Sequence, residues 1–554
     1  MLRPVPLAQL RTMTSRTTLI LYALALSCVG LFSCKTADEY AKEADDEAYG
    51  LIEDRRSELF DIDDEFSIDP IEGSLRQRIL DGQAGLVDEL MLTDCLEIAA
   101  ENNREYQARR EDLYRAALAL ARERWNFGWI PSAGADGTAA GLGGDHTAQS
   151  FGADGALTRL LGTGAVIVTD VGLSFLKLAN TGDGFNAISD LGISVTQPLM
   201  RGFGKQIVEE PLTQAERTLV YEVRSFERFR RTFSVDVTSR VYRILQQMNT
   251  LENEQRNIES LAVLRTRNEA LSVAGRLSDI EVDQARQDEL RSRNRLLDVQ
   301  RSLDQLLDEL SLFLGVPIDT GITVSGQTLA ELIDGGVQEL LLTEGEVVET
   351  ALALRLDRLT TLDRVGDATR QVDITADALR AGLSLSGSVR HLSTSGTPAR
   401  LNADQTAWSL GIDLDLPIGN LPERNAHRLA RINLQANERR AVEQADEIRV
   451  DLRDSMRFVR TRRQSYEISS VSVELAARRV ESAKLSLQAG RASTRDLLEA
   501  QEDLLAAQND VTQALVDYAL SRLELYRDME ILVVDSDGVR PDHSLVMTPE
   551  AIRS

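Results

Sequence analysis

The stretches AGRLSDIEVDQAR (274–286) and AGRASTRDLLEAQ (489–501) occur in opposite halves of the chain and share one pattern. Each has a glycine, a serine three residues later, an acid at the sixth residue after the glycine and an alanine at the tenth. Glycine tolerates the left-handed conformation at a helix C-cap, and a serine with acids one turn later is a helix-start signal. Each stretch therefore predicts a helix, a tight turn and a second helix. Two unrelated turns are the simpler explanation, but the shared spacing favours an internal duplication.

The composition argues against an enzyme and against a nucleic-acid-binding protein. The chain has 554 residues, of which 43% are hydrophobic and only 5% aromatic, and this favours helices joined along alanine and leucine seams. Three cysteines and four scattered histidines provide no zinc-ligand spacing, no disulfide framework and no Cys–His pair. The formal net charge of −26 is opposite to the basic surface that phosphate binding needs. We therefore expect no catalytic residue, no cofactor, no bound metal and no nucleic-acid partner.

The N-terminal sequence resembles a bacterial lipoprotein signal. Arginines precede the apolar run LILYALALSCVGLFS (19–33), whose length suits the h-region of a signal peptide better than a spanning helix. The run leads into LFSC (31–34), which resembles a lipobox with Cys34 as the lipidated first residue of the mature chain. The alternative is an ordinary signal peptidase site with an unmodified Cys34. Either interpretation predicts a signal peptide over residues 1–33.

The segment that follows the signal is strongly acidic. Residues 35–85 contain sixteen Asp and Glu against six Lys and Arg, a net charge of −10, and few apolar runs. This composition is typical of a solvated segment. It predicts an acidic linker over residues 34–85.

The rest of the chain divides into two similar halves. The helical sequences LTDCLEIAAENN (92–103) and LTEGEVVETALA (342–353) both begin Leu-Thr-acid, and both precede a segment rich in glycine and serine. The repeats are predicted at residues 86–330 and 331–534, and a polar tail at 535–554.

Four stretches have the alternation of amphipathic strands, namely 167–175, 191–195, 383–389 and 408–416. In 408–416, tryptophan, leucine and isoleucine alternate with serine, glycine and aspartate. One apolar face opposite a small or polar face is typical of a transmembrane β-barrel strand, although a soluble β-sandwich gives the same alternation. Four strands are too few to close a membrane barrel, so several chains would have to share one, and three chains would supply twelve strands.

Two long limbs contain no proline. They run from Pro211 to Pro317 and from Pro422 to Pro541. The segment 207–273 alone would be about 100 Å long as a straight helix at 1.5 Å per residue. Such a limb is too long for a globular core but suits a tube or a coiled coil that crosses a compartment.

Together these features resemble the TolC-type outer-membrane efflux proteins. QPLMRGFG (197–204) is similar to the strand-to-helix junction of that family, and DLPIGNLPERNAHRLA (415–430) resembles its counterpart in the second half. The two AGR-x-S turns resemble the family's turns at the periplasmic end, and the resemblance covers about residues 90–531. The junction residues that it singles out are Gln197, Pro198, Arg201 and Gly202.

The resemblance implies a mainly α-helical protein with a membrane β portion, built as two tandem repeats of strand pairs and very long helical hairpins. Three copies would form a twelve-stranded β-barrel in the outer membrane, continued by an α-helical tunnel in the periplasm. The far end of the tunnel would dock on a periplasmic adaptor and an inner-membrane pump. The implied function is a passive exit duct of a tripartite efflux or type I secretion system, with outer-membrane lipid around the barrel.

The resemblance also implies roles for residues at the turns. In the family, two acids three residues apart narrow the tunnel mouth, and the matching residues here are Asp496 and Glu499, with Glu281 in the first half. Ordinary surface acids are the alternative. Ala492 stands where the family has an arginine near this turn. The pair of residues that locks the closed state is therefore not identified by the resemblance. The residues expected at the adaptor-docking hairpin tips are Gly275, Arg276, Ser278, Gly490, Arg491 and Ser493.

An envelope-spanning structural lipoprotein without a pore is the alternative function. It accounts for the long helices and the lipobox, but it leaves the four amphipathic strands unexplained. The transported substrate, whether a drug, a metal ion or a protein, is not indicated by the sequence, because the pump selects it in this family.

Overall fold

The computed structural model describes residues 35–60, 65–69, 73–81, 89–142, 146–178, 186–393, 401–535 and 538–547. The predicted signal peptide and Cys34 lie outside the described residues. The helices are α1 (Ala37–Phe60), α2 (Leu75–Leu80), α3 (Leu92–Asn102), α4 (Arg104–Asn126), α5 (Lys205–Val208), α6 (Glu210–Val273), α7 (Asp279–Leu314), α8 (Gln327–Gly335), α9 (Glu344–Leu354), α10 (Leu356–Asp377), α11 (Leu421–Gln488) and α12 (Thr494–Asp528). The strands are β1 (Ile130–Leu142), β2 (His146–Leu160), β3 (Val166–Leu178), β4 (Asn186–Pro198), β5 (Gly382–Ser393), β6 (Leu401–Asp415), β7 (Leu532–Asp535) and β8 (Gly538–Pro541).

Two long helical hairpins dominate the fold, as the sequence predicts. Helix α6 has 64 residues and α11 has 68, so each is about 100 Å long. Helix α6 contacts both α7 and α12, and α12 contacts α11, so the four helices lie side by side in the order α7, α6, α12, α11. Within the described ranges, no helix combines the length and the apolar content needed to cross a membrane.

The second feature is a six-stranded antiparallel sheet with the strands in the order β1 to β6. Strand β4 of the first half pairs with β5 of the second half from Asp190–Leu392 to Pro198–Ser384, so the two halves meet in one sheet. The predicted fold class is confirmed: the protein is mainly helical, with long helical hairpins and antiparallel strands.

The number of strands differs from the prediction. The four predicted strands correspond to β3, β4, β5 and β6, whereas β1 and β2 were not predicted. Every second residue of β1 from Pro131 to Gly141 lies on one face of the strand. Each of these residues is a proline, an alanine or a glycine. These residues give little contrast in hydropathy with the serine, aspartate and threonine on the other face, so the period of two is hidden. The twelve strands expected from three chains therefore rest on an incorrect count for one chain.

The acidic segment is not the solvated linker that its composition predicts. Residues 37–60 form helix α1, in which Ala48, Leu51 and Ile52 are buried against α4 and α6. These apolar residues recur at spacings of three and four, which places them in one narrow stripe of a helix whose other faces carry the charge. The average composition of the segment conceals that stripe.

The predicted polar tail also folds in part. Strand β8 pairs with β7, and the backbone amide of Met547 donates a hydrogen bond of 2.9 Å to the hydroxyl of Thr350. The clusters of buried apolar residues lie along the middle of the long helices, where α3, α8, α9 and β7 pack around α6, α11 and α12.

Candidate functional site

The two AGR-x-S turns have the same backbone geometry. Gly275 and Gly490 adopt left-handed φ angles of 68° and 69°. In the first turn the amide of Arg276 donates to the carbonyl of Leu271 at 2.9 Å, and in the second the amide of Arg491 donates to that of Ser486 at 2.9 Å. This six-to-one bond is the Schellman motif, in which glycine avoids the steric cost of a left-handed residue. The predicted helix–turn–helix at each turn is confirmed.

The two hairpin tips are joined to each other. Asn268 on α6 is buried, and its side-chain amide donates a hydrogen bond of 3.1 Å to the hydroxyl of Thr494 at the start of α12. Beside this bond, Leu497 and Leu498 of α12 pack in a buried cluster with Leu261 and Leu264 of α6. The ends of both hairpins in one chain therefore form a single packed unit.

Asp496 is part of a capping box at the start of α12. The amide of Ser493 donates to the Asp496 carboxylate at 2.8 Å, and the Ser493 hydroxyl donates to the same oxygen at 2.8 Å. The backbone hydrogen bond from Ser493, followed by that of its hydroxyl, lowers the pKa of Asp496 below its ordinary value of 3.8. The stabilisation of the helix start is therefore complete above about pH 4 and is lost as the pH falls through the lowered pKa. At neutral pH the carboxylate is ionised.

The other two acids that were predicted to narrow the tunnel mouth differ in environment. Glu499 is half exposed and accepts a hydrogen bond of 2.8 Å from Arg495 on the same helix. Glu281 is partly buried, and its backbone carbonyl accepts a bond of 3.4 Å from Asn268. Ser278, which begins α7, makes no side-chain capping bond, so the two tips differ here. The acids Asp496 and Glu499 are exposed on the helix face opposite the buried pair Leu497 and Leu498.

The strand-to-helix junction holds the two halves of the chain together. The guanidinium of Arg201 donates to the Asp415 carboxylate at 2.6 Å, and the amide of Gly202 donates to the Asp377 carboxylate at 2.7 Å. Asp377 ends α10 and Asp415 ends β6, so the first-half junction is bonded to two elements of the second half. Gln197 donates to the carbonyl of Thr163 at 3.1 Å in the adjacent β2–β3 turn. The sequence indicated the junction but not its partners, which lie 175 and 214 residues away along the chain.

One face of the sheet carries a lattice of aspartates and glycines that sequence reasoning missed. Asp136 lies against Gly152 of the neighbouring strand, and a Cβ added there would be 2.4 Å from the carboxylate. The same arrangement recurs where Asp190 faces Gly172 and where Asp170 faces Gly192. The guanidinium of Arg390 lies 3.5 Å from the Asp170 carboxylate and 3.4 Å from that of Asp190. The pairing of aspartate with glycine across the ladder is the signal that could have revealed β1 and β2.

The opposite face of the sheet is apolar and uncovered. On β6 the side chains of Trp408, Leu410 and Ile412 are 77%, 69% and 74% exposed. Trp125 and Trp129, also exposed, mark the end of the sheet nearest the helices. The apolar face extends nine residues along β3 from Ile167 to Phe175, which is about 30 Å along a strand and about 23 Å in height at a tilt of 40°. That height matches the outward apolar band of about 25 Å in outer-membrane barrels.

Among the described residues, no group of three or more His, Cys, Asp or Glu side chains could hold a metal ion. The features assembled by the fold are instead an exposed apolar sheet, two joined hairpin tips about 100 Å away and a bonded junction between them.

The fold is similar to that of solved outer-membrane channels. The channel OprN matches with a TM-score of 0.58 over 84% of this chain and 93% of that chain, at 16% sequence identity. The CmeC channel of Campylobacter jejuni matches with a TM-score of 0.57 over 86% and 91%, at 16% identity. VceC of Vibrio cholerae matches with a TM-score of 0.56 over 79% and 95%, at 15% identity. No protein-family model and no curated protein matches the sequence.

Proposed function

We propose that the protein is a TolC-type exit duct of a tripartite efflux or type I secretion system, located in the outer membrane. Three copies surround one passage, with their sheets in the membrane and their helical hairpins in the periplasm. Substrates pass through, and no covalent bond is made or broken.

The exposed apolar face of the sheet carries this proposal. A soluble β-sandwich would cover that face with a second sheet, whereas here the six strands form one layer with tryptophan, leucine and isoleucine exposed. Exposed apolar area on this scale requires lipid or a partner. The long hairpins that continue from the same sheet suit a duct across the periplasm, and they are less readily explained in a lipoprotein scaffold.

The layer of long helices favours several copies around an axis. Its two outer helices, α7 and α11, expose apolar side chains that no other part of the described chain covers, including Leu297, Phe458 and Ile468. Because both edges of the helix layer need apolar partners, identical copies that meet edge to edge in a ring would cover the exposed side chains of both edges. The joined tips, with Arg276 and Arg491 exposed, form the end that would meet the adaptor and the pump.

Conductance across a planar lipid bilayer tests the proposed function. Purified full-length protein is expected to insert as a three-chain particle and to produce discrete current steps. A protein that binds the bilayer and never passes current would contradict the channel and favour the structural lipoprotein.

The acids of the second tip provide a prediction about selectivity. Asp496 and Glu499 of three copies would place six carboxylates at the tunnel mouth, where they attract cations and bind multivalent cations. Replacing both by alanine is expected to reduce cation selectivity and to weaken the block by a trivalent cation, with the trimer intact. Single-channel recordings with potassium chloride gradients measure both effects.

Ser493→Ala is the matched control, because it breaks the capping box and leaves both charges in place. It is expected to keep the wild-type selectivity. If the double variant also keeps it, Asp496 and Glu499 are ordinary surface acids and the constriction lies elsewhere.

Helix α1 supports a lipid anchor at Cys34. The hydroxyl of Tyr114 donates to the Asp45 carboxylate at 2.6 Å, whereas Arg56, further along α1, pairs with Glu227 at 3.4 Å. Helix α1 therefore runs antiparallel to α4, with its first residue towards the sheet. Counting 1.5 Å per residue from these contacts, Ala37 lies within about 10 Å of the end of α4, where the chain enters the sheet. The first residue of α1 is then close to the membrane surface, which supports a lipid anchor three residues earlier in the sequence.

Cys34→Ser is expected to abolish lipidation, while the protein itself stays in the membrane. The wild-type peptide that contains residue 34 should carry the mass of the glyceryl and acyl groups and the variant peptide should not, because the glyceryl group is joined to the cysteine sulfur. Both proteins should fractionate with outer membranes, since lipid chains add little to the anchoring of a spanning sheet. Masses that differ by the substitution alone would contradict lipidation.

A further inference from the structure

Both edges of the six-stranded sheet are free. Strand β1 pairs only with β2, and β6 pairs only with β5, in the part of the chain that the structure describes. An edge strand leaves backbone N–H and C=O groups unpaired, and each such group costs several kcal/mol in hydrocarbon. Six strands are also fewer than the eight of the smallest membrane barrels. A sheet inserted in lipid therefore needs a partner at each edge.

We propose that β1 of one copy pairs with β6 of the next, so that three copies close a barrel of eighteen strands rather than twelve. This inference rests on the trimeric channel proposed above. It specifies which strands meet between copies and how wide the barrel is.

The directions and faces of the two edge strands fit this pairing. Strand β1 begins at the helical end of the sheet, four residues after α4, and β6 returns to that end before α11, so the strands meet antiparallel. The register with β2 places Pro131 beside Leu157 and Gly137 beside Phe151, which puts the small residues of β1 on the apolar face. That face continues the apolar face of β6. The outer surface of the closed barrel is then mainly apolar.

A twelve-stranded barrel would require β3 to be an edge strand, and β3 has no free edge. It pairs with β2 from Ala148–Leu178 to Leu160–Val166 on one side and with β4 from Val166–Thr196 to Leu176–Asn186 on the other. To expose β3, the whole ladder with β2 must break. The backbone groups of that ladder would then need new partners outside the sheet.

The widths of the sheet and of the helix layer agree with six strands in each copy. Strands 4.8 Å apart and tilted by about 40° occupy about 6 Å of circumference each, so six occupy about 38 Å. Four helices side by side at about 9 Å occupy about 36 Å. Four strands would occupy only about 25 Å. The same number of copies therefore closes both the helical tube and an eighteen-stranded barrel without a step in width.

Disulfide formation between copies tests the pairing. Ala135→Cys on β1 is combined in turn with Leu410→Cys, Ile412→Cys and Leu414→Cys on β6 of the full-length protein, since all four side chains lie on the apolar face. Mild oxidation is expected to give covalently linked dimers and trimers on denaturing gels for at least one pair. Val171→Cys on β3 with the same β6 cysteines is the matched control and is expected to give none. The single-cysteine variants set the background.

The outcomes separate this inference from the proposed function. Cross-links from Val171 and none from Ala135 would show a twelve-stranded barrel and overturn the inference, and so would a trimer without any β1–β6 cross-link. In both cases conductance would still support the channel. A protein that stays monomeric contradicts both. Single particles viewed along the axis give a second measure, because eighteen strands make a barrel about half as wide again as twelve.

Discussion

Replacing Glu530 by alanine is expected to lower the free energy of unfolding by about 3 kcal/mol, because removing one partner of a buried ion pair leaves an uncompensated charge. Its side chain is 2% exposed and contacts the guanidinium groups of Arg228 and Arg231 on α6, the latter at 2.6 Å. Arg228 also lies 3.7 Å from Asp357 near the start of α10. Glu530 thus joins the end of α12 to α6 and stands beside α10. Chemical unfolding followed by circular dichroism measures the loss at a fixed protein concentration.

Glu530→Gly is the informative control. Glu530 has a φ angle of 65° and is the one non-glycine residue with positive φ among the described residues, at a position where the ends of α6 and α11 have glycine. Glycine removes the same carboxylate but relieves the left-handed conformation, which costs a side chain about 1–2 kcal/mol. We therefore expect Glu530→Gly to be less destabilised than Glu530→Ala. If Glu530→Ala, which keeps the left-handed conformation, is as stable as wild type, the ion pairs contribute no net stability.

Leu498→Asp is expected to separate the two hairpin tips within one chain. Leu498 is 7% exposed and packs with Leu261 and Leu264, and even truncation of such a leucine costs about 2–5 kcal/mol. A carboxylate at this position adds the cost of burying a charge or of opening the cluster to water. Hydrogen exchange should accelerate in residues 257–272 and 480–500, while the sheet and the middle of the helices keep their protection.

Val273→Asp provides the control for this substitution. Val273 lies at the end of α6 in the first tip and is 91% exposed, so the same new charge should change stability by less than about 0.5 kcal/mol. Equal protection in Leu498→Asp and wild type would mean that the leucine cluster does not hold the tips together.

The turns and the regular elements nearest to them could be predicted because their causes are local. A Schellman turn needs a residue that accepts positive φ, and the capping box needs a serine and an acid three residues apart, so both can be recognised within one heptad of sequence. The alternation in β3 to β6 and the proline-free limbs are equally local. Asp496 and Glu499 show how far local sequence patterns reach. The sequence shows the spacing of these two acids, whereas their hydrogen bonds with Ser493 and Arg495 depend on side-chain geometry.

Several features depended on contacts that no local pattern encodes. Helix α1 has a net acidic sequence, and its few apolar residues are buried only because α4 and α6 supply the surface beside them. Strands β1 and β2 have weak alternation, and their conformation is fixed by the ladder that continues from β3. The bonds of Arg201 to Asp415 and of Gly202 to Asp377 connect the two halves of the chain.

The sequence by itself determined the turn glycines, the lengths of the helices and four of the six long strands. These follow from backbone preferences and periodicity over a few to a few tens of residues. The tertiary structure alone decided that β1 is the edge of the sheet, that the acidic segment is packed and that Glu530 joins α12 to α6. Each of these depends on which distant segment lies alongside, because burial and hydrogen bonding are properties of two surfaces in contact and not of either sequence alone.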